Sequence, residues 1–85
     1  MEKEEVRASL TSLIEEVMPE LGTIDLGKNI VSEYGVNSVS LITLIVEAER
    51  KFDIKFSGYE LALEDYPTFE DLSAVIKAKL DKKDD

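Results

Sequence analysis

Between Val39 and Val46 lie Leu41, Ile42, Leu44 and Ile45, so the helix expected here carries apolar side chains on almost every side. Such a helix is stable only if its surroundings take most of that surface out of water. A chain of 85 residues offers one modest core for the purpose. Two other stretches supply an apolar face each. Over residues 4–18, Val6, Leu10, Leu13, Ile14 and Val17 recur at helical spacing, and Pro19 stops that helix. Beyond Pro67, Thr68 caps a last helix, with Asp71 three residues on in a near capping box, and Phe69, Leu72, Val75, Ile76 and Leu80 form its stripe. No strand signal has comparable strength.

The expected fold class is therefore all-α: a four-helix bundle with three main helices, one short helix near residues 59–63 and a long first loop over residues 20–36. Leu21, Ile24, Leu26, Ile30 and Val31 should pack that loop against the bundle. Loops this long in small domains are functional or disordered, and the apolar content argues against disorder. Residues 1–80 read as one domain, and the charged run 81–85 is expected to fray. A bundle this small can hardly bury every side of the second helix. Either the loop covers the surplus or a partner does.

Composition removes several function classes. Nineteen acidic residues against ten basic ones give a formal charge of −9, which repels nucleic acid. Acidity of this degree favours protein partners with basic surfaces, or simply keeps the chain soluble. With no histidine and no cysteine, nucleophilic triads, His-ligated metals and disulfides are all excluded. The adjacent acids Glu15 with Glu16 and Glu64 with Asp65 read as solvated surface groups rather than acid/base pairs. The chain is not expected to be an enzyme. Its acidic N-terminus is no signal peptide, and no stretch suffices to cross a membrane, so a cytoplasmic location without membrane insertion is expected.

The remaining chemistry sits at Gly35-Val36-Asn37-Ser38-Val39, where the second helix begins and runs over residues 38–52. Asn37 is a preferred N-cap residue. Ser38 then falls in the first turn, where backbone N–H groups lack intrahelical partners and the dipole is positive, so a phosphate on its hydroxyl meets favourable charge. By themselves Asn37 and Ser38 are ordinary capping residues.

The stretch KNIVSEYGVNSVSLITLIVEAERKF, residues 28–52, resembles the acyl carrier and peptidyl carrier protein family, with its Gly-x-Asp-Ser-Leu motif at the start of the second helix. Ile30, Tyr34 and Phe52 match apolar positions of that family, and a Pro-Thr-Phe segment before the last helix extends the likeness over most of the chain. The resemblance implies a bundle of carrier-protein type. It implies a 4'-phosphopantetheine arm attached to Ser38 by a separate phosphopantetheinyl transferase, with thioester-linked cargo on the arm's thiol. Acyl- or aminoacyl-loading and processing enzymes would be the other partners, and the chain would act as a monomer.

Departures at four positions qualify what the resemblance implies. Asn37 stands where the family has Asp, whose carboxylate helps hold magnesium during arm transfer; Asn37 is therefore a helix cap and a candidate magnesium contact with a weaker ligand. Val39 replaces Leu, and Ser40 and Thr43 replace frequent acids. From residue 38 to 52, Glu47 and Glu49 balance Arg50 and Lys51, so the acidic recognition helix is missing. Val39, Leu41 and Val46, with acidic Glu60, Glu64 and Asp65 near the short helix, are the expected partner-binding residues. These departures suggest a carrier for a specialised acyl, polyketide or nonribosomal-peptide pathway rather than for fatty-acid synthesis. The alternative is a non-covalent adaptor that kept the fold and lost the arm.

Overall fold

The computed structural model describes residues 1–84. Its helices are α1 (Lys3–Val17), α2 (Ser38–Phe52) and α3 (Phe69–Asp84). Single 3-10 turns lie at Pro19–Leu21, Gly58–Glu60 and Leu63–Asp65. The described residues form no strand, only an isolated antiparallel bridge between Asn29 and Thr68. The all-α bundle expected from the apolar periodicity is the architecture observed.

Helix α1 lies against both α2 and α3. Its stripe of Val6, Leu10, Leu13 and Ile14 is buried and meets Leu41, Leu44, Ile45, Ala48 and Phe52 of α2 and Phe69, Leu72, Ile76 and Leu80 of α3 in one core. Glu2 precedes α1, its N–H donating to Glu5 Oε1 at 3.1 Å. At the entry to α3, Thr68 and Asp71 cap reciprocally: Thr68 N–H donates to Asp71 Oδ2 (3.0 Å) and Asp71 N–H to Thr68 Oγ1 (3.2 Å). Asp therefore serves as the second member of the box that Thr68 was expected to open.

The long first loop packs as its apolar residues required. Ile24, Leu26, Ile30 and Val36 are buried, and Leu21 and Tyr34 pack against the core. Val31, expected inside, is 52% exposed. Asn29 accounts for that, because its Oδ1 accepts the N–H groups of Val31 (3.0 Å) and Ser32 (2.8 Å) and winds the chain into a turn that points Ile30 inward and Val31 out. Gly35 ends the turn with φ 65, its N–H donating to Val31 O at 2.9 Å, a left-handed terminus of the αL type.

The short helix expected near 59–63 is instead the two 3-10 turns, separated by Leu61 and Ala62. Tyr66 supplies the reason. Its hydroxyl donates to Glu60 O at 2.6 Å, occupying the carbonyl that a continuing α-helix would offer to the N–H of residue 64. Burial, reinforced by the charges of Glu60 and Asp65, pushes the Tyr66 phenol up to about 12. The charged run that was expected to fray is helical through Asp84. Lys83 Nζ donates to the carbonyl (2.8 Å) and Oδ2 (2.7 Å) of Asp53, the left-handed C-cap of α2, so the ends of α2 and α3 are joined. Lys83 also holds the Asp53 carboxyl below its ordinary range. Asp85 lies outside the described residues.

Two outcomes test this fold. An added Cβ at Gly35 would meet nothing within 4 Å, so Gly35→Ala should lose only the backbone preference, about 1–2 kcal/mol by urea unfolding. A loss below a few tenths would show that the left-handed turn is not required. The second outcome concerns pH. The fold favours the neutral Tyr66 phenol, so its contribution is complete below pH 10 and is lost as pH rises from 10 towards 12. That part of the alkaline decline in stability should be absent from Tyr66→Phe.

Candidate functional site

Helix α2 begins where it does because two side chains close its first turn. Asn37 has an extended backbone, and its Oδ1 accepts the N–H of Ser40 at 2.9 Å. In return Ser40 Oγ accepts the N–H of Asn37 at 3.0 Å. The Ser40 hydroxyl also stands 3.1 Å from Asn37 O and 3.2 Å from Asn37 Oδ1 as donor. This is a complete capping box with an amide at the cap and a hydroxyl at the third position. Sequence reading found Asn37 as the cap but missed Ser40; the Asn-x-x-Ser spacing was the available signal.

Ser38 is the first residue of this turn and is exposed. Among the described residues its hydroxyl takes no hydrogen-bond partner. The first turn of α2 contains no acidic residue. The amides of Ser38 and Val39 have no acceptor within a helix that starts at Ser38, and the helix dipole places partial positive charge around them. An anionic group on Ser38 therefore meets free donors and no nearby repulsion from its own turn. The serine fits a phosphodiester-linked arm.

Around Ser38 the helix presents apolar surface. Val39 is 75% exposed, Ile42 40% and Val46 39%, and their spacing puts them on one side of α2. Leu41, expected among the partner contacts, is fully buried in the core. Helical geometry turns it about 200° away from Val39, two residues earlier. Ile42 takes its place in the exposed stripe. Thr43 turns its hydroxyl back to Val39 O at 3.0 Å.

The acidic residues of α2 are occupied. Glu47 pairs with Arg50 at 3.4 Å, and Glu49 Oε2 accepts the N–H of Phe56 at 2.8 Å. Of the three acids expected to meet partners, Glu64 and Asp65 are exposed. Glu60 is not free to do so. Its Oε1 accepts from Lys79 Nζ at 2.8 Å and from Ser57 N–H at 2.7 Å, and the Lys79 hydrogen bond is the first cause that holds its carboxyl below the ordinary range. An open hollow beside Ser38 is lined by Asn29, Val31, Leu63, Glu64, Tyr66 and Pro67. The loop, the Leu63–Asp65 turn and the start of α2 thus meet at the serine.

No group of three or more His, Cys, Asp or Glu side chains among the described residues could hold a metal ion. Asn37 has one side-chain oxygen, which accepts the Ser40 N–H in the cap, and its NH2 group is a donor only. Among the described residues no helix is long and apolar enough to cross a membrane.

A family model described as a phosphopantetheine attachment site matches residues 8–76. The acyl carrier protein of Kocuria rhizophila is 32% identical over 60 residues, which is 69% of this chain and 74% of that protein. No solved structure matches the chain. A match that takes in the whole of α2, its capped serine turn and parts of α1 and α3 leaves one assignment: the chain belongs to the acyl carrier protein family, whose domain bears covalently attached 4'-phosphopantetheine.

Proposed function

We propose that Ser38 is the attachment residue and that residues 1–80 act as a monomeric, cytoplasmic carrier domain for thioester-linked acyl or aminoacyl intermediates. One observation carries this reading: an exposed serine, its hydroxyl without a hydrogen-bond partner among the described residues, opens a 15-residue helix whose first turn contains no acid. Once attached, the arm supplies the thiol that a cysteine-free chain lacks. The chain also lacks histidine, so the base that activates the Ser38 hydroxyl belongs to the phosphopantetheinyl transferase. Asn37 and Ser40 hold the first turn in place, and Ser38 projects from it.

The cargo pathway is a specialised acyl, polyketide or nonribosomal-peptide route, served by its own loading and processing enzymes. The support is the electroneutral α2, whose acids are tied up with Arg50 and the Phe56 amide while Val39, Ile42 and Val46 face outward. A second reading, an adaptor without the arm, is favoured by Asn37. A capping carboxylate would keep a second, charged oxygen for magnesium, whereas the amide has a single neutral oxygen that already accepts from Ser40.

Incubation of the protein with coenzyme A, magnesium and a broad-specificity transferase should add one phosphopantetheinyl mass to the wild type and none to Ser38→Ala. Asn37→Asp should be modified faster at limiting magnesium, with stability nearly unchanged because Asp and Asn cap about equally well. Modification of Ser38→Ala would move the site, and an unmodified wild type alongside a modified Asn37→Asp would favour the adaptor.

Partner binding should depend only modestly on salt, because the contacts offered by α2 are apolar and exposed ion pairs alone are screened over about 8 Å at physiological ionic strength. Val46→Asp should weaken binding to the cognate enzyme more than Glu47→Ala does, with folding checked by circular dichroism. Glu49 is unsuitable as a control because its carboxylate holds the Phe56 amide. A steep salt dependence, with Val46→Asp binding normally, would place recognition on Glu64 and Asp65.

A further inference from the structure

Between α2 and α3 the chain forms only two single 3-10 turns, Gly58–Glu60 and Leu63–Asp65. Turns of that length do not hold themselves in place. Lys79, on α3, does it for them. Its Nζ lies 2.8 Å from Glu60 Oε1 and 5.0 Å from the centroid of the Phe56 ring, so it grips the connection at two points. Both charged side chains are only 22% exposed, unlike the solvated pairs that contribute little. The carboxylate oxygen that meets Lys79 also accepts Ser57 N–H at 2.7 Å, and the carbonyl of the same Glu60 accepts the Tyr66 hydroxyl at 2.6 Å. Tyr66, with Leu63 and Glu64, forms one side of the hollow that includes Ser38. A continuous set of charge-assisted and neutral hydrogen bonds therefore runs from α3 to the surface beside the serine.

We infer that Lys79 is a positioning residue for the Ser38 site: through Glu60 it fixes Leu63, Glu64 and Tyr66 as the surface that a modifying enzyme meets next to the serine. Lys79 itself touches neither Ser38 nor anything attached to it. The inference rests on the reading of Ser38 as the attachment residue. It also gives Glu60 a different task from that of Glu64 and Asp65, since its charge is spent inside the molecule.

The test uses the whole protein in three forms, Lys79→Met, Glu60→Gln and Lys79→Arg. Hydrogen exchange is read at the amides of residues 57–66, and transferase kinetics are measured with coenzyme A and magnesium. Lys79→Met keeps most of the aliphatic stem and loses the cation. It should speed exchange over 57–66 by about fivefold to tenfold while leaving α1 unchanged. It should also raise the KM for the carrier severalfold with little change in kcat. Glu60→Gln should act in the same direction more weakly, and it stands in if Lys79→Met fails to fold. Lys79→Arg should restore both measurements, because a guanidinium can meet the carboxylate and lie over the ring. Faster exchange spread equally over α1, α2 and α3 would reduce Lys79 to general stability and overturn the inference. So would faster exchange at 57–66 with an unchanged KM. If the wild type takes no arm, the attachment reading fails instead. In that case the amide shifts of Ser38 and Val39 decide, and their insensitivity to Lys79→Met would overturn the positioning role.

Discussion

The placement of Ser38 depends on two backbone hydrogen bonds between the long loop and the entry to α3. Ile30 N–H donates to Pro67 O and Glu70 N–H donates to Leu26 O, both at 2.9 Å. Proline cannot donate, but its carbonyl is free to accept, so Pro67 both ends the preceding segment and receives the loop. Around these bonds the fully buried Ile30 and Phe69 join the core, and Tyr34 lies against Phe69 with ring centroids 5.8 Å apart. The Tyr34 hydroxyl accepts the N–H of Asp25 at 2.8 Å, closing the loop on itself. Ordering a segment this long is costly in backbone entropy, and the buried side chains of Ile24, Leu26, Ile30 and Val36 offset that cost. The left-handed Gly35 then turns the fixed loop directly into the cap of α2.

Much of this was legible in the sequence, because helices announce themselves by period. The stripes of α1 and α3 and the start of α2 at Ser38 are the ones the apolar spacing predicted. The illegible parts share one physical cause: they depend on side chains that compete locally for backbone groups. Asn29 captures two amides and turns Val31 outward, which no hydropathy pattern encodes. Tyr66 captures the Glu60 carbonyl and divides a short helix into two turns. Leu41 was misplaced for a simpler reason. A helix that is apolar nearly all round gives little indication of which face is inward, and α1 and α3 decide it. Glu60 looked like its acidic neighbours until Lys79, nineteen positions away, was seen to neutralise it.

The site itself was legible as a position but not as a mechanism of capping. An Asn at the cap and a Ser in the first turn are readable, yet the reciprocal bond with Ser40 changes what Asn37 can do. Oδ1 holds the Ser40 amide, and the other side-chain group, the NH2, is a donor. Asn and Asp cap a helix about equally well, but a neutral amide oxygen is a weaker ligand for a hard cation than a carboxylate.

Charge is distributed to the same effect. The chain carries −9 overall, yet the first turn of α2 has no acid and the later acids of α2 are engaged. An anion on Ser38 would feel the positive end of a helix whose own side chains do not cancel it, while Arg50 and Lys51 in the last turn complement the negative end. Partners would approach an acidic molecule and, at the serine, reach an apolar stripe of Val39, Ile42 and Val46, with Glu64 across the hollow beside Ser38. Long-range charge sets how fast such an encounter occurs, whereas desolvation of the stripe sets how long it lasts. The acids and the apolar stripe are different residues, so a mutation in one would leave the other in place.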